Sequence, residues 1–238
     1  MERISVINRS LPEFGLYTRT STNGIELDMV KLFIDYYCNQ FLKTNKINNL
    51  AVFIEPRIST GFPDVVFATY TPKAFEKWSK ERNALDIVDL KILTYIIKQH
   101  SCKSASIIAD LRFSEKQVLY SIEHLIDSGL IQRKKEAWTL EKPSTIYGIK
   151  KLVTIEAKIG NIKKVAEQSL INTWFASHSY ALIPTKPNES TISQLKKHGI
   201  GLYCQNKGFR KVIEAQTYSL PSSYVSLQFN EWIGRSLQ

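Results

Sequence analysis

The stretch KKLVTIEAKIG, residues 150–160, predicts a β-strand with two charged side chains on one face. Side chains alternate between the two faces of a strand. One face is therefore apolar, with Val153, Ile155, Ala157 and Ile159, and the opposite face carries Thr154, Glu156 and Lys158. Glu156 and Lys158 are about 7 Å apart along the strand and point the same way. A Glu-x-Lys pair on a strand more often lies on a solvated face than in a catalytic site. The neighbouring segments are therefore needed to interpret it.

Upstream of this strand, the sequence predicts a helix and a β-hairpin. The helix starts near Gly24 and continues through IELDMVKLFIDYYCNQFLK, in which apolar residues recur at steps of three and four. Two apolar segments follow, AVFIEPRI (51–58) and PDVVFATY (63–70), joined by the turn STGF. Pro63 opens the second strand, a position where the missing N–H is tolerated, and Asp64 comes directly after it.

Downstream, the pattern alternates between helices and strands. NIKKVAEQSLINTWFASH (161–178) predicts an amphipathic helix, SYALIPT (179–185) a strand, and NESTISQLKKHG (188–199) a second helix. IGLYCQN (200–206) and a final strand at VIEAQTY (212–218) complete the series. The expected fold class is therefore α/β.

Together these residues resemble the PD-(D/E)-x-K nuclease superfamily. Pro63-Asp64 matches the first half-motif, and Glu156-Ala157-Lys158 matches the second. The helix that follows carries Gln168, which is similar to the glutamine-bearing helix of several branches of the superfamily. The resemblance covers roughly residues 24–70 and 146–206. It implies a restriction-endonuclease-like mixed central sheet flanked by helices.

The resemblance also implies a metal-dependent active site. Mg²⁺ (or Mn²⁺) prefers hard oxygen ligands, with one or two carboxylates and several waters. The resemblance gives this role to Asp64, Glu156 and the backbone carbonyl of Ala157. Lys158 would orient or help deprotonate the attacking water, or stabilise the charge that develops on the phosphoryl group. The sequence does not choose between these roles.

Two further side chains are weaker candidates. Family members often contribute a glutamate from the first helix, which would be Glu26, although an acidic residue in a first turn is also ordinary dipole compensation. Glu55 is the rival for this role. Gln168 would contact the metal shell or the substrate backbone, although glutamine is also common on helix surfaces.

Residues 81–145 have a different pattern, which interrupts the nuclease core predicted for residues 1–80 and 146–238. Three helices centred on residues 87–97, 104–111 and 114–129 are followed by a short hairpin. Ser114 and Gln117 form a capping-box pattern for the third helix, and Gly129 ends it. This order resembles a winged helix-turn-helix module, by pattern rather than by specific residues.

Such modules usually place the third helix in the DNA major groove and rest the wing on phosphates. The candidate DNA contacts are Lys116, Gln117, Tyr120, Arg133, Lys134 and Lys135. The segment is nearly neutral, however, and its third helix also carries Glu115, Glu123 and Asp127. Phosphate contacts need uncompensated cations, so a role in dimerisation or in docking a protein partner remains the alternative.

Composition limits the remaining function classes. The net charge of +10 favours polyanionic partners, and residues 146–238 carry twelve basic and five acidic side chains. No apolar run approaches the roughly 20 residues that span a bilayer, and the N-terminus lacks a secretory signal, so the expected location is cytoplasmic with no membrane partner. The three cysteines and four histidines show no metal-ligand spacing.

The sequence thus predicts a metal-dependent DNA endonuclease, of the kind used in restriction, phage defence, mobile elements or repair. A non-catalytic DNA-binding regulator and an RNA-processing nuclease are the alternatives. A homodimer is also expected by analogy, because two copies of one active site cut both strands of a duplex most easily.

Overall fold

The computed structural model describes residues 3–19, 24–76 and 78–238, with Ser144 described by its backbone alone. The chain divides into two compact units. The first contains residues 1–70 and 149–220, and the second contains residues 71–148 and 221–238. The expected insertion, 81–145, lies inside the second unit, which begins ten residues earlier and also includes the C-terminal segment.

The described part of the chain combines ten strands with eight α-helices. The described strands are β1 (Ile4–Ile7), β2 (Asn49–Ile54), β3 (Val65–Tyr70), β4 (Ser101–Cys102), β5 (Ile131–Lys134), β6 (Ala137–Leu140), β7 (Ile149–Ala157), β8 (His178–Ile183), β9 (Gly201–Gln205) and β10 (Phe209–Ile213). The described α-helices are α1 (Ile25–Thr44), α2 (Ile87–Gln99), α3 (Ser104–Leu111), α4 (Glu115–Asp127), α5 (Pro143–Ile146), α6 (Ile162–Asn172), α7 (Glu189–Lys197) and α8 (Tyr224–Ser236). The α/β class predicted from the sequence is confirmed.

The first unit is built on a mixed seven-stranded sheet in the order β1-β2-β3-β7-β8-β9-β10. β2, β3 and β7 are antiparallel neighbours, and β7, β8 and β9 are parallel. Parallel neighbours need a crossover connection, which α6 and α7 provide. β2 and β3 form the predicted hairpin, and β10 ends at Ile213, five residues before the predicted end of the last strand.

Both faces of this sheet are covered by helices. On one face, Met29, Phe33 and Phe41 of α1 pack against strand residues such as Phe67 and Val153. On the other face, α6 and α7 pack over β8, β9 and β10. The strand β7 is consequently buried on both sides, and even its polar residues Thr154 and Glu156 are shielded from water. Its polar face is therefore an interior face, whereas a Glu-x-Lys pair in a strand ordinarily indicates a solvated one.

The second unit contains the three predicted helices, α2, α3 and α4, and the predicted hairpin of β5 and β6. β4 adds a third strand, giving the sheet order β4-β6-β5. The last helix, α8, also belongs to this unit, because Leu227 is buried in its apolar core and Glu231 pairs with Arg82. The sequence-based division assigned this helix to the nuclease core. It is buried on nearly all sides, with Ser226, Asn230, Glu231 and Arg235 buried beside apolar residues such as Phe229 and Trp232. None of the described helices is long and apolar enough to cross a membrane.

Candidate active site

The register of β3 and β7 aligns the two candidate carboxylates. Val65 pairs with Ile155 and Val66 with Thr154 in this antiparallel ladder. Continuing the register by one residue sets Asp64 opposite Glu156, where side chains share one face of the sheet. Both residues are buried, with 7% of Asp64 and 2% of Glu156 exposed. The two half-motifs, 92 residues apart in the chain, are therefore neighbours across one pair of strands.

Asp64 is attached directly to the β7 backbone. Its Oδ2 accepts a hydrogen bond of 2.7 Å from the backbone N–H of Ala157. Burial raises the pKa of Asp64, while this hydrogen bond and the Lys158 ammonium act in the opposite direction. The carboxyl group is thus held in a fixed orientation beside Glu156.

Glu156 has one satisfied and one unsatisfied oxygen. Oε1 accepts a hydrogen bond of 2.7 Å from the side-chain amide of Asn172 in α6. Oε2 is buried and has no hydrogen-bond partner among the described residues. Burial, and then the neighbouring Asp64, raise the pKa of Glu156 to about 8. A buried acceptor without a donor costs free energy. A cation or a proton bound at Oε2 would offset that cost.

Lys158 lies just beyond the end of β7 and contacts the first helix. Its Nζ donates to Glu26 Oε1 at 2.5 Å and to the backbone carbonyl of Ala157 at 2.8 Å. Glu26 is in the first turn of α1. The structure therefore brings Glu26, Asp64, Ala157, Glu156 and Lys158 into one connected group.

Glu55, the rival for the fourth acidic position, lies at the other side of Asp64. Its backbone N–H donates to the Asp64 carbonyl at 3.0 Å, and its side chain pairs with Arg19 at 2.7 Å. Glu55 has a φ of 46°, a left-handed conformation that is uncommon for residues other than glycine. Glu26 and Glu55 both raise the pKa of Asp64, so the geometry leaves each of them next to the carboxylate pair.

Gln168 was predicted from the sequence as a site residue, whereas Asn172 was not. Both residues are on α6, four positions apart, and side chains at this spacing share one helix face. Asn172 bonds to Glu156, whereas Gln168 Oε1 is buried without a hydrogen-bond partner in the described part of the chain. Arg19 was also missed, although its positive charge reaches Asp64 and Glu156. Neither residue belongs to a recognisable local motif, so their roles become visible only when the strands are assembled.

The donor set fits a hard divalent cation. Two carboxylates and one backbone carbonyl are oxygen ligands of the type that Mg²⁺ prefers, and Mg²⁺ usually keeps several waters as well. Across residues 3–19, 24–76 and 78–238, no group of three or more His, Cys, Asp or Glu side chains forms a complete metal cage. A site that uses one or two carboxylates does not need such a cage. The raised pKa values of the paired carboxyls fit the same interpretation, because a cation between them would favour their charged forms.

The candidate DNA contacts all lie on the second unit. Lys116 and Tyr120 are exposed on α4, and Gln117 forms the predicted capping box with Ser114. Arg133, Lys134 and Lys135 are exposed at the end of the β5–β6 hairpin. Arg133 donates to the Lys135 carbonyl and lies over the Trp138 ring. The exposed surface of α4 also includes Leu119 and Ile126.

Comparisons with models of protein families, with curated proteins and with solved structures find no match to this chain.

Proposed function

We propose that this chain is a metal-dependent nuclease of the PD-(D/E)-x-K type that hydrolyses phosphodiester bonds in DNA. The observation that carries the proposal is the buried pair of Asp64 and Glu156 on adjacent strands, with Lys158 two residues after Glu156 and just beyond the end of β7. Burying like charges side by side is destabilising. A protein that keeps such a pair is therefore expected to use it for a function. Strongly shifted pKa values of this kind are concentrated in active sites.

The metal ion would be Mg²⁺ or Mn²⁺, held by Asp64, Glu156 and the Ala157 carbonyl. It would supply Lewis-acid polarisation of the phosphoryl group and a more acidic bound water. The side chain of Asn172 supports this arrangement from α6, because its amide holds one oxygen of Glu156 and leaves the other free.

Lys158 would act on the water or on the phosphoryl oxygens. Its ammonium already contacts the carbonyl of Ala157, which belongs to the proposed ligand set. Glu26 accepts a hydrogen bond from the same ammonium and so fixes its direction. From this position Lys158 can orient the attacking water or stabilise the negative charge of the transition state. Glu26 is accordingly a positioning residue, with the lysine as the group that reaches the reacting atoms.

The second unit favours duplex DNA as the substrate. Its order of helices and strands is typical of winged-helix modules, whose wing rests on phosphates. The wing cations Arg133, Lys134 and Lys135 suit this role. The exposed face of α4 fits DNA less well, because Leu119 and Ile126 lie among the acidic side chains of Glu123 and Asp127. This face favours docking of a protein partner or a second copy of the chain.

The nuclease proposal is tested by incubating the protein with supercoiled, linear and single-stranded DNA and with RNA, in Mg²⁺, Mn²⁺ or EDTA. Metal-dependent cleavage of DNA supports the proposal, and preferential cleavage of RNA would transfer it to RNA processing. Binding without cleavage under every condition would favour the non-catalytic regulator.

A further inference from the structure

A basic cleft lies at the far end of the first unit's sheet from Asp64 and Glu156. Its volume is about 490 Å³, and its lining includes Tyr36, Gln40, Asn48, Lys150, Lys151 and Lys211. The C-terminal half of α1 forms one wall, and strands β7, β9 and β10 contribute the other. We refer to this site as the basic cleft.

The basic cleft is separate from the candidate active site. Lys151 pairs with Thr69 in the β3–β7 ladder, and both of these residues line the cleft. Each is five residues from the carboxylate on its own strand. At about 3.3 Å per residue, that spacing corresponds to about 17 Å. A ligand in the basic cleft would therefore not touch the proposed metal ligands.

The charge of the basic cleft is only partly compensated. Its lining contains three lysines and no acidic residue. Lys211 has an ion pair of 2.6 Å with Glu214, but Lys151 has no ion pair within the described part of the chain. Lys151 is also partly buried; burial and then Lys211 lower its pKa, while the Glu214 carboxylate acts in the opposite direction. Glu214 interacts with both ammonium groups and offsets part of their repulsion, and an anion bound in the cleft would offset the rest.

The neutral lining also favours an anion. The hydroxyl group of Tyr36 and the side-chain amides of Gln40 and Asn45 can all donate hydrogen bonds. Phosphate oxygens accept several such bonds at once, and lysine is a common phosphate ligand. Lysines, amides and hydroxyls in one concave site are thus a donor set suited to phosphate.

We propose that the basic cleft binds a phosphate group, supplied either by the backbone of a nucleic-acid strand or by a free nucleotide. The inference does not need the nuclease chemistry, since phosphate binding here would occur whether or not the distant carboxylates cut a substrate.

The test compares wild type with Lys150→Ala/Lys151→Ala and with a matched control, Lys196→Ala/Lys197→Ala, which removes two exposed lysines from α7. Two probes are used in EDTA, so that cleavage plays no part. A fluorescein-labelled 30-base-pair duplex is titrated by anisotropy at several salt concentrations, and AMP is titrated by calorimetry. Each phosphate contact contributes about 0.9 to the slope of log affinity against log salt for duplex DNA.

If the phosphate belongs to a nucleic-acid strand, Lys150→Ala/Lys151→Ala weakens duplex binding. The slope of log affinity against log salt then falls by about two. If it belongs to a free nucleotide, the same variant loses AMP binding and keeps the wild-type slope for DNA. In both cases the control binds like wild type, and Lys150→Arg/Lys151→Arg retains binding. Should the double alanine variant fail to fold by circular dichroism, Lys150→Ala alone carries the test, because Lys150 is exposed.

The proposal is overturned if the variant and wild type bind both probes equally, if wild type binds neither probe, or if the control loses as much affinity as the variant. Loss of binding in the variant, combined with a wild type that never cleaves, would reject the nuclease and leave the phosphate site standing.

Discussion

Asp64 is hydrogen-bonded to the backbone N–H of Ala157, the residue that separates Glu156 from Lys158. One bond of 2.7 Å therefore ties the first half-motif to the strand that carries the second. Because the carboxyl group is held by backbone, its position does not depend on a mobile partner. The arrangement is pre-organised, which is the property that electrostatic catalysis requires.

Replacing Glu156 by glutamine should stabilise the metal-free protein while abolishing cleavage. The substitution keeps an oxygen for the Asn172 amide, and above pH 8 it removes one of two buried like charges, because the pKa of Glu156 is raised to about 8. Relief of this kind is typically worth about 0.5–2 kcal/mol. Thermal unfolding in EDTA above pH 8, where Glu156 is ionised, should show a higher Tm for Glu156→Gln than for wild type. Added Mg²⁺ should raise the Tm of wild type and leave the Tm of Glu156→Gln unchanged. A lower Tm in EDTA would contradict the interpretation of the carboxylate pair as strained.

Asn172 should act as a positioning residue for Glu156. Asn172→Ala removes the donor to Oε1 and leaves a second buried oxygen without a partner, so nicking should become slower and require more Mg²⁺. Asn172→Asp adds a negative charge beside Glu156 and should slow nicking further. Rates measured across a Mg²⁺ titration separate weakened metal binding from slower chemistry. The neighbouring exposed residue Ile171 provides the control, and Ile171→Ala should nick at the wild-type rate. Wild-type rates in both Asn172 variants would refute the role.

The buried ion pair of Arg82 and Glu231 should fix α8 to the second unit. The two side chains are 2.5 Å apart, and Arg82 also donates to the carbonyls of Thr145 and Ile146. Removing one partner from a buried pair costs about 3–5 kcal/mol, because the other charge is left without compensation.

Glu231→Ala should therefore lower the free energy of unfolding of the second unit by about that amount. Denaturant titrations of the two single variants and the double variant measure the coupling between the partners. Lys186→Ala, which breaks an exposed ion pair with Glu189, should cost less than about 1 kcal/mol. Equal costs for the buried and exposed pairs would show that α8 is not anchored in this way.

The cations of the wing should contribute to DNA affinity. Changing Arg133, Lys134 and Lys135 to alanine removes three exposed positive charges from the β5–β6 hairpin. If these side chains contact phosphates, duplex binding weakens and the salt slope falls by up to about 2.7. Anisotropy titrations at several salt concentrations check this. Unchanged affinity would assign the module to protein contacts instead.

The sequence predicted most of the elements that build the candidate site. The helix of Glu26, the hairpin of Asp64 and the strand of Glu156 all have strong local periodicity, and each lies where it was expected. The same was true of α2, α3 and α4, because capping residues and apolar spacing are local signals.

The failures concern interactions between distant segments. No local pattern indicates that Glu231 and Arg235 are buried, because both bond to Arg82, about 150 residues away. In the sequence, Asn172 is an ordinary polar residue at the end of a helix. Its contact with Glu156 forms only in the folded protein. Arg19 precedes the first helix and belongs to no recognisable sequence motif. The fold brings it to Glu55, a residue with a left-handed backbone, where it donates to the Glu55 carboxylate.

The most direct test of the central claim is the rate of nicking of supercoiled plasmid by wild type, Asp64→Asn and Lys158→Ala at saturating Mg²⁺ or Mn²⁺. Asp28→Asn, which neutralises an exposed acid of the same first helical turn as Glu26, serves as the control. We predict metal-dependent nicking by wild type and the control, with a loss of at least about 100-fold in both site variants, since removal of one transition-state contact commonly costs that much. Nicking by Asp64→Asn at the wild-type rate, or no nicking by wild type with either metal, would contradict the claim.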